Sequence, residues 1–344
     1  MTSTILVTGA GGVGKTTVSA AMAVTAARTG KRTLVVTVDP ARRLANALGL
    51  AGLGSEPSPH PDDPNLWAAM LDPGESWRAV AMRHADPEVA ERLVDNEFFE
   101  AATEHFPASQ SYAAAEQAAN YIQAKAWDLV IIDTPPSAGG IEFFTAPSQM
   151  TDLIGGRLLR WITGWRLPGR RFLFNRTAKP ALRLADSLLG AHLLERVAEF
   201  LMDLRTTYDG VARRSREIES LFRRSSVLLI TTADPAPLRE AIRFFRELPG
   251  AAAEPIAVVF NRTLPAEWAM AQSPAGTPPA LATNLANWGS EALRQRDALV
   301  EFGSRYPVAL ATIPWAGAPP TDLDSLAALI EKSDGLPKSR LGIG

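Results

Sequence analysis

The chain has 344 residues, of which 46% are hydrophobic and 21% are charged, a balance typical of a protein with a large buried core. Its 35 basic and 37 acidic residues give a net charge of −2, which argues against general coating of nucleic acid. Cysteine is absent, which excludes disulfides, thiolate metal sites and cysteine nucleophiles. The sequence shows neither a basic secretory leader nor an apolar run of about 18 residues, so we expect a cytoplasmic globular protein.

Short apolar runs rich in β-branched residues recur along the chain and predict strands. They are Ile5–Thr8, Thr33–Asp39, Leu66–Leu71, Leu129–Asp133, Val227–Thr232, Ile256–Phe260 and Val308–Ile313. Most are apolar on both faces, which is typical of central strands in a parallel sheet covered by helices. Helical stretches such as Thr17–Thr29 separate them. The sequence therefore predicts an α/β fold with a doubly wound, mostly parallel sheet and ligands at the carboxyl ends of its strands.

Two long segments, residues 75–126 and 142–225, have helical patterns and no convincing strand. We interpret both as a helical subdomain inserted into a single domain that spans residues 1–344. The stretch Pro265–Pro279 is rich in Pro, Ala and Gly and is predicted to be a surface loop. The last dozen residues are expected to be frayed.

A glycine-rich loop, Gly-Ala-Gly-Gly-Val-Gly-Lys-Thr-Thr, follows the first predicted strand and fits two motifs. The first motif is G-x-G-x-x-G, a dinucleotide-binding fingerprint, in which Asp39 would be the acidic residue that binds the ribose. The second motif is G-x-x-x-x-G-K-T, the loop that binds a nucleoside triphosphate. Lys15 can reach the β- and γ-phosphates and Thr16 can ligate Mg²⁺, and a dinucleotide site needs neither. We therefore expect a triphosphate site. Its residues are Gly11, Gly12, Val13, Gly14, Lys15, Thr16 and Thr17.

Asp133 ends the fourth of these predicted strands, where its carboxylate would lie beside the loop and help to hold Mg²⁺ with Thr16. The alternative is an Asp that only caps the turn before Pro135 and Pro136. Its combination with Lys15 and Thr16 favours the metal role, so ATP and Mg²⁺ are the predicted cofactors.

Three motifs together resemble the ArsA family of ATPases, and its actinobacterial branch in particular. They are the Gly-Gly-Val-Gly-Lys-Thr-Thr of the loop, Asp39-Pro40-Ala41 and Asp133-Thr134-Pro135-Pro136. The family includes the arsenite-pump ATPase and the ATPase that targets tail-anchored membrane proteins. The resemblance covers essentially the whole chain and implies a P-loop NTPase fold with ATP hydrolysis.

The resemblance also implies roles for individual residues. Asp39 would lie in switch I, position the attacking water and contribute to the metal shell, although an Asp here can also cap a helix. Asp133 to Pro136 would form switch II. Asn261, Pro314 and Trp315 would contact adenine, although an Asn at a strand end is commonly a turn residue.

The sequence departs from the family at the loop, where Ala10 replaces a lysine that reaches a partner subunit's phosphates. Arg42 or Arg43 would replace that cation, a second ArsA-like subunit would supply it, or turnover would be slow. We therefore expect a homo- or hetero-oligomer. The absence of cysteine also removes the arsenite-triggering thiols and the zinc-bridged dimer clamp of relatives, so neither thiol-bound arsenite nor zinc is expected.

Between Arg157 and Arg183 the chain has eight basic residues and no acidic one, interleaved with apolar side chains. This composition suits anionic lipid, an acidic or apolar partner, or packing with solvated arginines. Relatives use the equivalent region for a hydrophobic client helix, which implies a membrane-protein client and a location peripheral to the membrane.

The function expected from the sequence is ATP hydrolysis that switches a helical client- or partner-binding subdomain. The alternatives are a nucleotide-gated scaffold with little turnover and a partitioning or positioning ATPase that acts on membrane or DNA, although the net charge makes nucleic acid the less favoured partner. A dehydrogenase is the least favoured interpretation.

Overall fold

The computed structural model describes residues 2–39, 41–99, 107–135, 137–155, 193–247 and 253–344. The chain divides into two compact units. The first consists of Met1–Leu71, Asn120–Ile141 and Phe222–Gly344, and the second of Asp72–Ala119 and Glu142–Leu221.

The first unit is built on an eight-stranded sheet. Its strands are β1 (Ser3–Gly9), β2 (Thr33–Thr37), β3 (Ser58–His60), β4 (Asp63–Met70), β5 (Leu129–Asp133), β6 (Ser226–Thr231), β7 (Pro255–Thr263) and β8 (Ala309–Pro314). They lie in the order β3-β4-β2-β5-β1-β6-β7-β8, and every pair is parallel except β3 with β4. The predicted mostly parallel α/β sheet of the P-loop NTPase type is confirmed.

The described residues contain twelve α-helices and one 3₁₀-helix, Ala266–Met270. The α-helices are α1 (Lys15–Arg28), α2 (Arg43–Ala47), α3 (Pro73–His84), α4 (Pro87–Val94), α5 (Pro107–Gln123), α6 (Ser137–Gly155), α7 (Leu193–Thr206), α8 (Tyr208–Arg224), α9 (Pro235–Glu247), α10 (Pro279–Arg305), α11 (Leu323–Glu331) and α12 (Lys338–Leu341). None of these helices is long and apolar enough to cross a bilayer.

The strand order places the candidate site at the centre of the sheet. β1 lies between β5 and β6, and successive strands continue outward on opposite sides of it, so the loop after β1 lies at the switch point where α/β sheets bind ligands. Asp133 at the end of β5 is in register with Val7 of β1 and with Thr37 of β2. Asp133 and Thr37, which end β5 and β2, are therefore neighbours, and the loop after β1 begins close to them. Beneath them, the Ala-rich α1 packs on apolar strand side chains with almost no exposed surface.

The second unit is helical. It contains α3, α4, α7 and most of α5, α6 and α8. Its buried aromatic side chains include Trp77, which lies 5.5 Å from Tyr112 and 6.1 Å from Phe99 between ring centroids. Glu116 is buried and accepts hydrogen bonds from Arg83 and, at 2.6 Å, from Arg214. The predicted basic stretch from Arg157 to Arg183 lies outside the described residues.

The structure corrects three sequence-based expectations. The predicted frayed C-terminus is wrong, because the last residues form α12 and bury the side chains of Leu341 and Ile343 in the core of the first unit. The sequence missed β3, a three-residue edge strand. The expected surface loop after β7 is exposed but begins with the 3₁₀-helix, whose Trp268 and Met270 side chains are exposed.

Candidate nucleotide-binding site

The loop between β1 and α1 has a backbone that only glycine adopts without strain at two positions. Gly12 has φ 78° and Gly14 has φ 93°, both in the left-handed region. Gly14 has a second reason to be glycine, because a Cβ there would collide with the amide nitrogen of Asn261. Lys15 is the first residue of α1, so the loop ends at a helix N-terminus, which favours anions.

Lys15 is buried, with 7% of its surface exposed, and its ammonium group rests on the loop itself. Nζ donates to the carbonyl oxygens of Gly9, at 3.0 Å, and Ala10, at 2.9 Å. Burial lowers the pKa of Lys15 below its ordinary value, while the nearby Asp133 and Asp39 oppose that shift. The amine is thus held inside the loop that the motif predicts to surround the phosphates.

Asp133 is 1% exposed and receives hydrogen bonds from two threonines. Its Oδ2 accepts from Thr16 Oγ1 at 2.6 Å and from Thr37 Oγ1 at 3.1 Å. Oδ1 is buried and has no partner among the described residues. Burial raises the pKa of Asp133 to about 6, against the hydrogen bonds and Lys15, which lower it. A buried carboxylate oxygen without a donor, beside a hydroxyl group, fits a hard cation such as Mg²⁺.

Asp39 follows β2 and is held by its own loop. Its Oδ1 accepts from the Ala41 amide at 3.0 Å, and its Oδ2 pairs with Arg43 at 2.9 Å. It does not cap α2, because the N-cap position of that helix is Arg42. Asp39 lies near enough to influence the pKa of Asp133, but its hydrogen bonds go to its own loop and to α2.

The predicted adenine contact Asn261 fastens β7 to the phosphate loop. Its Nδ2 donates to the Val13 carbonyl oxygen at 2.8 Å, and its Oδ1 accepts from the backbone N–H of Arg262 at 3.0 Å. The side chain is 8% exposed. Both ends of the amide are therefore engaged by protein, and the amide acts as a brace.

Arg262, the next residue, faces the site. The β7–β8 register shifts between Asn261 and Thr263, so Arg262 is the extra residue of a bulge, and its φ of 60° is left-handed. Its guanidinium Nη2 would lie 4.0 Å from a Cβ built at Gly14. A bulge beside a binding site redirects a side chain, and here it directs a cation towards the phosphate loop.

A cavity of about 510 Å³ lies over these groups. One part of its wall comes from the phosphate loop, Asp39, Arg43 and Asp133, and another from Arg262 and Pro319–Thr321. Asn261, Pro314 and Trp315 are not among its lining residues. Trp315 instead donates its backbone N–H to the Thr263 carbonyl oxygen at 2.8 Å and stacks its ring on Trp288.

The sequence did not identify Thr37, Arg262 or Pro319–Thr321 as site residues. A threonine two positions before Asp39 is a weak signal, and the alternation of a strand gives no indication of a bulge. The structure also shows that Ala10 is buried, because it is 5% exposed and packs in the core of the first unit. A lysine at this position would have to leave that core to reach a partner.

Comparison with known proteins agrees with the geometry. A family model described as anion-transporting ATPase matches residues 2–273. An uncharacterized protein of Streptomyces coelicolor is 29% identical over 336 residues, which cover 95% of this chain and 75% of that protein. This relative fits the actinobacterial branch that the motifs indicated.

Two named relatives are more distant. The arsenical pump-driving ATPase of Acidiphilium multivorum is 30% identical over 153 residues, 43% of this chain and 26% of that protein. The ATPase ASNA1 homolog 1 of Paramecium tetraurelia is 28% identical over 149 residues, 42% of this chain and 44% of that protein. The chain thus matches less than half the length of either. With the family model covering most of its residues and the phosphate loop in place, the chain belongs to the anion-transporting ATPase (ArsA) family.

Proposed function

We propose that the chain binds ATP with Mg²⁺ in the central cavity and hydrolyses it, and that the nucleotide state changes the conformation of the helical unit. The observation that carries the proposal is the convergence of three strand ends on one polar cluster. Lys15, Thr16 and Asp133 lie there around a single cavity. The names of the arsenical pump-driving and ASNA1 relatives support an ATPase of this family.

Lys15 acts as the phosphate-binding cation. Its two hydrogen bonds to loop carbonyl oxygens hold the ammonium group in place before nucleotide arrives. Binding exchanges these neutral acceptors for anionic phosphate oxygens, which form stronger, charge-assisted hydrogen bonds. Because burial lowers the pKa of Lys15, an anionic ligand also stabilises its charged form.

Thr16 and Asp133 hold the metal ion, which would neutralise charge on the β- and γ-phosphates. The unpartnered Oδ1 of Asp133 is the oxygen available to it or to a water in its shell, while Oδ2 keeps Thr16 and Thr37 oriented. Asp39 positions the attacking water. Its carboxylate is at present paired with Arg43, so it has to exchange part of that pair for the water.

Arg43 supplies the cation that Ala10 lacks. It lines the cavity with Asp39, although its side chain remains 60% exposed. With Arg43 in this role, the nucleotide site needs no cation from a second subunit. The alternative is a second ArsA-like subunit that carries the lysine, in which case this chain would be the less active half of a hetero-oligomer.

Arg262 is the base-side contact of the site. The sequence assigned that role to Asn261, whose amide already donates to Val13 and accepts from Arg262, so we propose Arg262 as a contact in addition to Asn261. A guanidinium group can stack on a purine or donate to a phosphate, and the prolines at 319 and 320 offer an apolar wall for a base.

A second candidate function is a nucleotide-gated scaffold with little turnover. The observation that favours it is the burial of an uncharged Ala10 where relatives have a lysine, since a cation at the transferred phosphate can contribute about 10³–10⁵ in rate. Phosphate release separates the two functions, because a scaffold would bind ATP without releasing phosphate.

The test compares Lys15→Ala with Lys332→Ala, a matched substitution of an exposed lysine on the end of α11. Binding of a fluorescent ATP analogue and steady-state phosphate release are measured for both variants and for the wild type. We expect Lys15→Ala to weaken binding at least about tenfold and to abolish turnover, with Lys332→Ala unchanged. Equal affinity and turnover in all three proteins would contradict the nucleotide assignment.

A further inference from the structure

Residues 315–321, which follow β8 and which we call the proline loop, supply one wall of the nucleotide cavity. Pro319, Pro320 and Thr321 line that cavity. The residues before them, 316–318, are exposed, and a Cβ at Gly317 would meet no atom within 4 Å. A segment with few buried contacts has little stability of its own. The position of this wall therefore depends on how the two ends of the loop are held.

The carboxyl end of the proline loop is fixed to α11. Asp322 is the N-cap of that helix and forms a capping box with Ser325. Ser325 Oγ also accepts a hydrogen bond from the backbone N–H of Thr321 at 3.2 Å. Because α11 packs against α1, the helix that begins at the phosphate loop, this end of the proline loop is connected to the phosphate side of the site.

The amino end of the proline loop is held by Trp315. Its backbone N–H donates to the Thr263 carbonyl oxygen at 2.8 Å. Its indole stacks on Trp288 of α10, with ring centroids 6.0 Å apart and an interplanar angle of 20°. The two indoles are 49% and 46% exposed, and neither lines the cavity. The stack thus holds the start of the loop from outside the nucleotide site.

The helix that carries Trp288 is itself bonded to the neighbouring loops of the site. Arg294 Nη1 donates to the carbonyl oxygen of Ala233, after β6, at 2.9 Å. The backbone N–H of Leu264, after β7, donates to Gln295 Oε1 at 2.8 Å. Together with the indole stack, these bonds connect α10 to the loops after β6, β7 and β8. The helix is therefore a fixed support for the proline loop.

We propose that Trp288 is a positioning residue for the base of the nucleotide, because its stack with Trp315 holds the prolines of the loop where they contact that base. The inference rests on the proposed nucleotide site and adds to it a residue that lies outside the cavity. A wall that is ordered before the ligand arrives loses less entropy on binding. Since the phosphates are bound by the phosphate loop, the effect of Trp288 is confined to the base.

The experiment compares the affinity of the full chain for ATP with its affinity for inorganic tripolyphosphate, which lacks the base, by titration calorimetry with Mg²⁺ present. The variants are Trp288→Ala, Trp288→Phe, which keeps an aromatic ring, and Leu281→Ala, which shortens an exposed apolar side chain nearer the N-terminus of α10. We expect Trp288→Ala to weaken ATP binding by about three- to tenfold, the range for loss of one aromatic pair, with tripolyphosphate binding unchanged. Trp288→Phe should bind ATP more tightly than Trp288→Ala, and Leu281→Ala should match the wild type.

A role of Trp288 in packing alone would lower the urea midpoint of Trp288→Ala and leave its ATP affinity unchanged, which would overturn the proposal. Equal losses for ATP and tripolyphosphate, an equal loss in Leu281→Ala, or no recovery in Trp288→Phe would overturn it as well. Circular dichroism shows whether Trp288→Ala is folded, and Trp288→Leu takes its place if it is not. A wild type that binds neither ligand would contradict the nucleotide site and this inference with it, whereas the other outcomes leave that site standing.

Discussion

Thr16 and Asp133, separated by 117 positions in the chain, are joined by a hydrogen bond of 2.6 Å from Thr16 Oγ1 to Asp133 Oδ2. The bond connects the first turn of α1 with the carboxyl end of β5. Because Thr37 donates to the same oxygen, three elements share one acceptor. The second oxygen of the carboxylate is buried without a partner, which makes Asp133 costly to keep charged in the absence of a cation.

We therefore expect Asp133→Asn to increase the stability of the protein and to remove its activity. Since burial raises the pKa of Asp133 from 3.8 to about 6, the folded state binds more protons between these pH values, and the unfolding free energy falls as the pH rises through that window. At pH 7 the neutral amide should raise the unfolding free energy by about 1–3 kcal/mol and remove Mg²⁺-dependent turnover. Urea unfolding without nucleotide is the measurement, and a destabilised variant would contradict the argument.

Asp39→Asn should lower kcat by about 10²-fold or more with a small effect on nucleotide affinity, because the carboxylate acts on the water and the phosphate cation is Lys15.

Arg43→Ala distinguishes two roles of the Asp39 ion pair. If Arg43 supplies the missing cation, its removal lowers kcat, whereas a purely restraining Arg43 would leave kcat equal or higher. Arg42→Ala, one position earlier, is the control.

Arg262→Ala should weaken ATP binding about tenfold, the effect of losing one charged contact or stacked group. The ligand series identifies the contact. Loss of affinity for ATP but not for inorganic tripolyphosphate indicates stacking on the base, and equal loss for both indicates a phosphate contact. Unchanged affinity for both would return the base contact to Asn261. Because the left-handed backbone disfavours a Cβ, Arg262→Gly should keep the bulge and lose the contact.

The helical unit should lose stability in mild acid through His84. Burial, followed by Arg83, Arg214 and Arg213, lowers the pKa of His84 to about 4, and Glu217 opposes the shift. The unfolded chain binds the proton near pH 6.5, so the unfolding free energy falls as the pH drops from about 6.5 to 4, by about 1–3 kcal/mol for this half-buried ring. His84→Gln should flatten the pH dependence of the urea midpoint. If the urea midpoints of the two proteins change with pH in the same way, His84 is not the cause of the loss of stability in acid.

The sequence predicted the central strands well because their side chains are buried on both faces, which leaves a local pattern. β3 left no such pattern, since Ser58-Pro59-His60 is a short edge strand whose first two residues are exposed. The C-terminus was misjudged for a different reason. Leu341 and Ile343 are buried by tertiary packing, and Lys31 fixes the turn with a hydrogen bond to the Gly342 carbonyl oxygen at 2.6 Å. Neither contact is visible in a short Gly-rich stretch.

In the candidate site, too, the sequence predicts what depends on neighbouring residues and misses what depends on distant contacts. Lys15 and Thr16 belong to one continuous motif, so their neighbourhood follows from the local sequence. Asn261 and Arg262 are adjacent, and a regular strand would place one of them in the core and the other outside. The bulge at Arg262 changes which side chain reaches the cavity, and it depends on pairing with β8, nearly fifty residues later. Sequence alone could place Asn261 near the site but could not show that Arg262 reaches the cavity.

The brace between Asn261 and the phosphate loop also constrains how the protein can evolve. The amide of Asn261 occupies the space in which a side chain at position 14 would begin, and the left-handed backbone at Gly14 would strain any larger residue even beside a smaller one at 261. The reverse exchange, a shorter residue at 261, would leave the Val13 carbonyl oxygen without its donor. Selection therefore acts on the two positions jointly. Among descendants of this sequence, Gly14 and Asn261 should therefore both be retained, because a change at one does not repair what a change at the other removes.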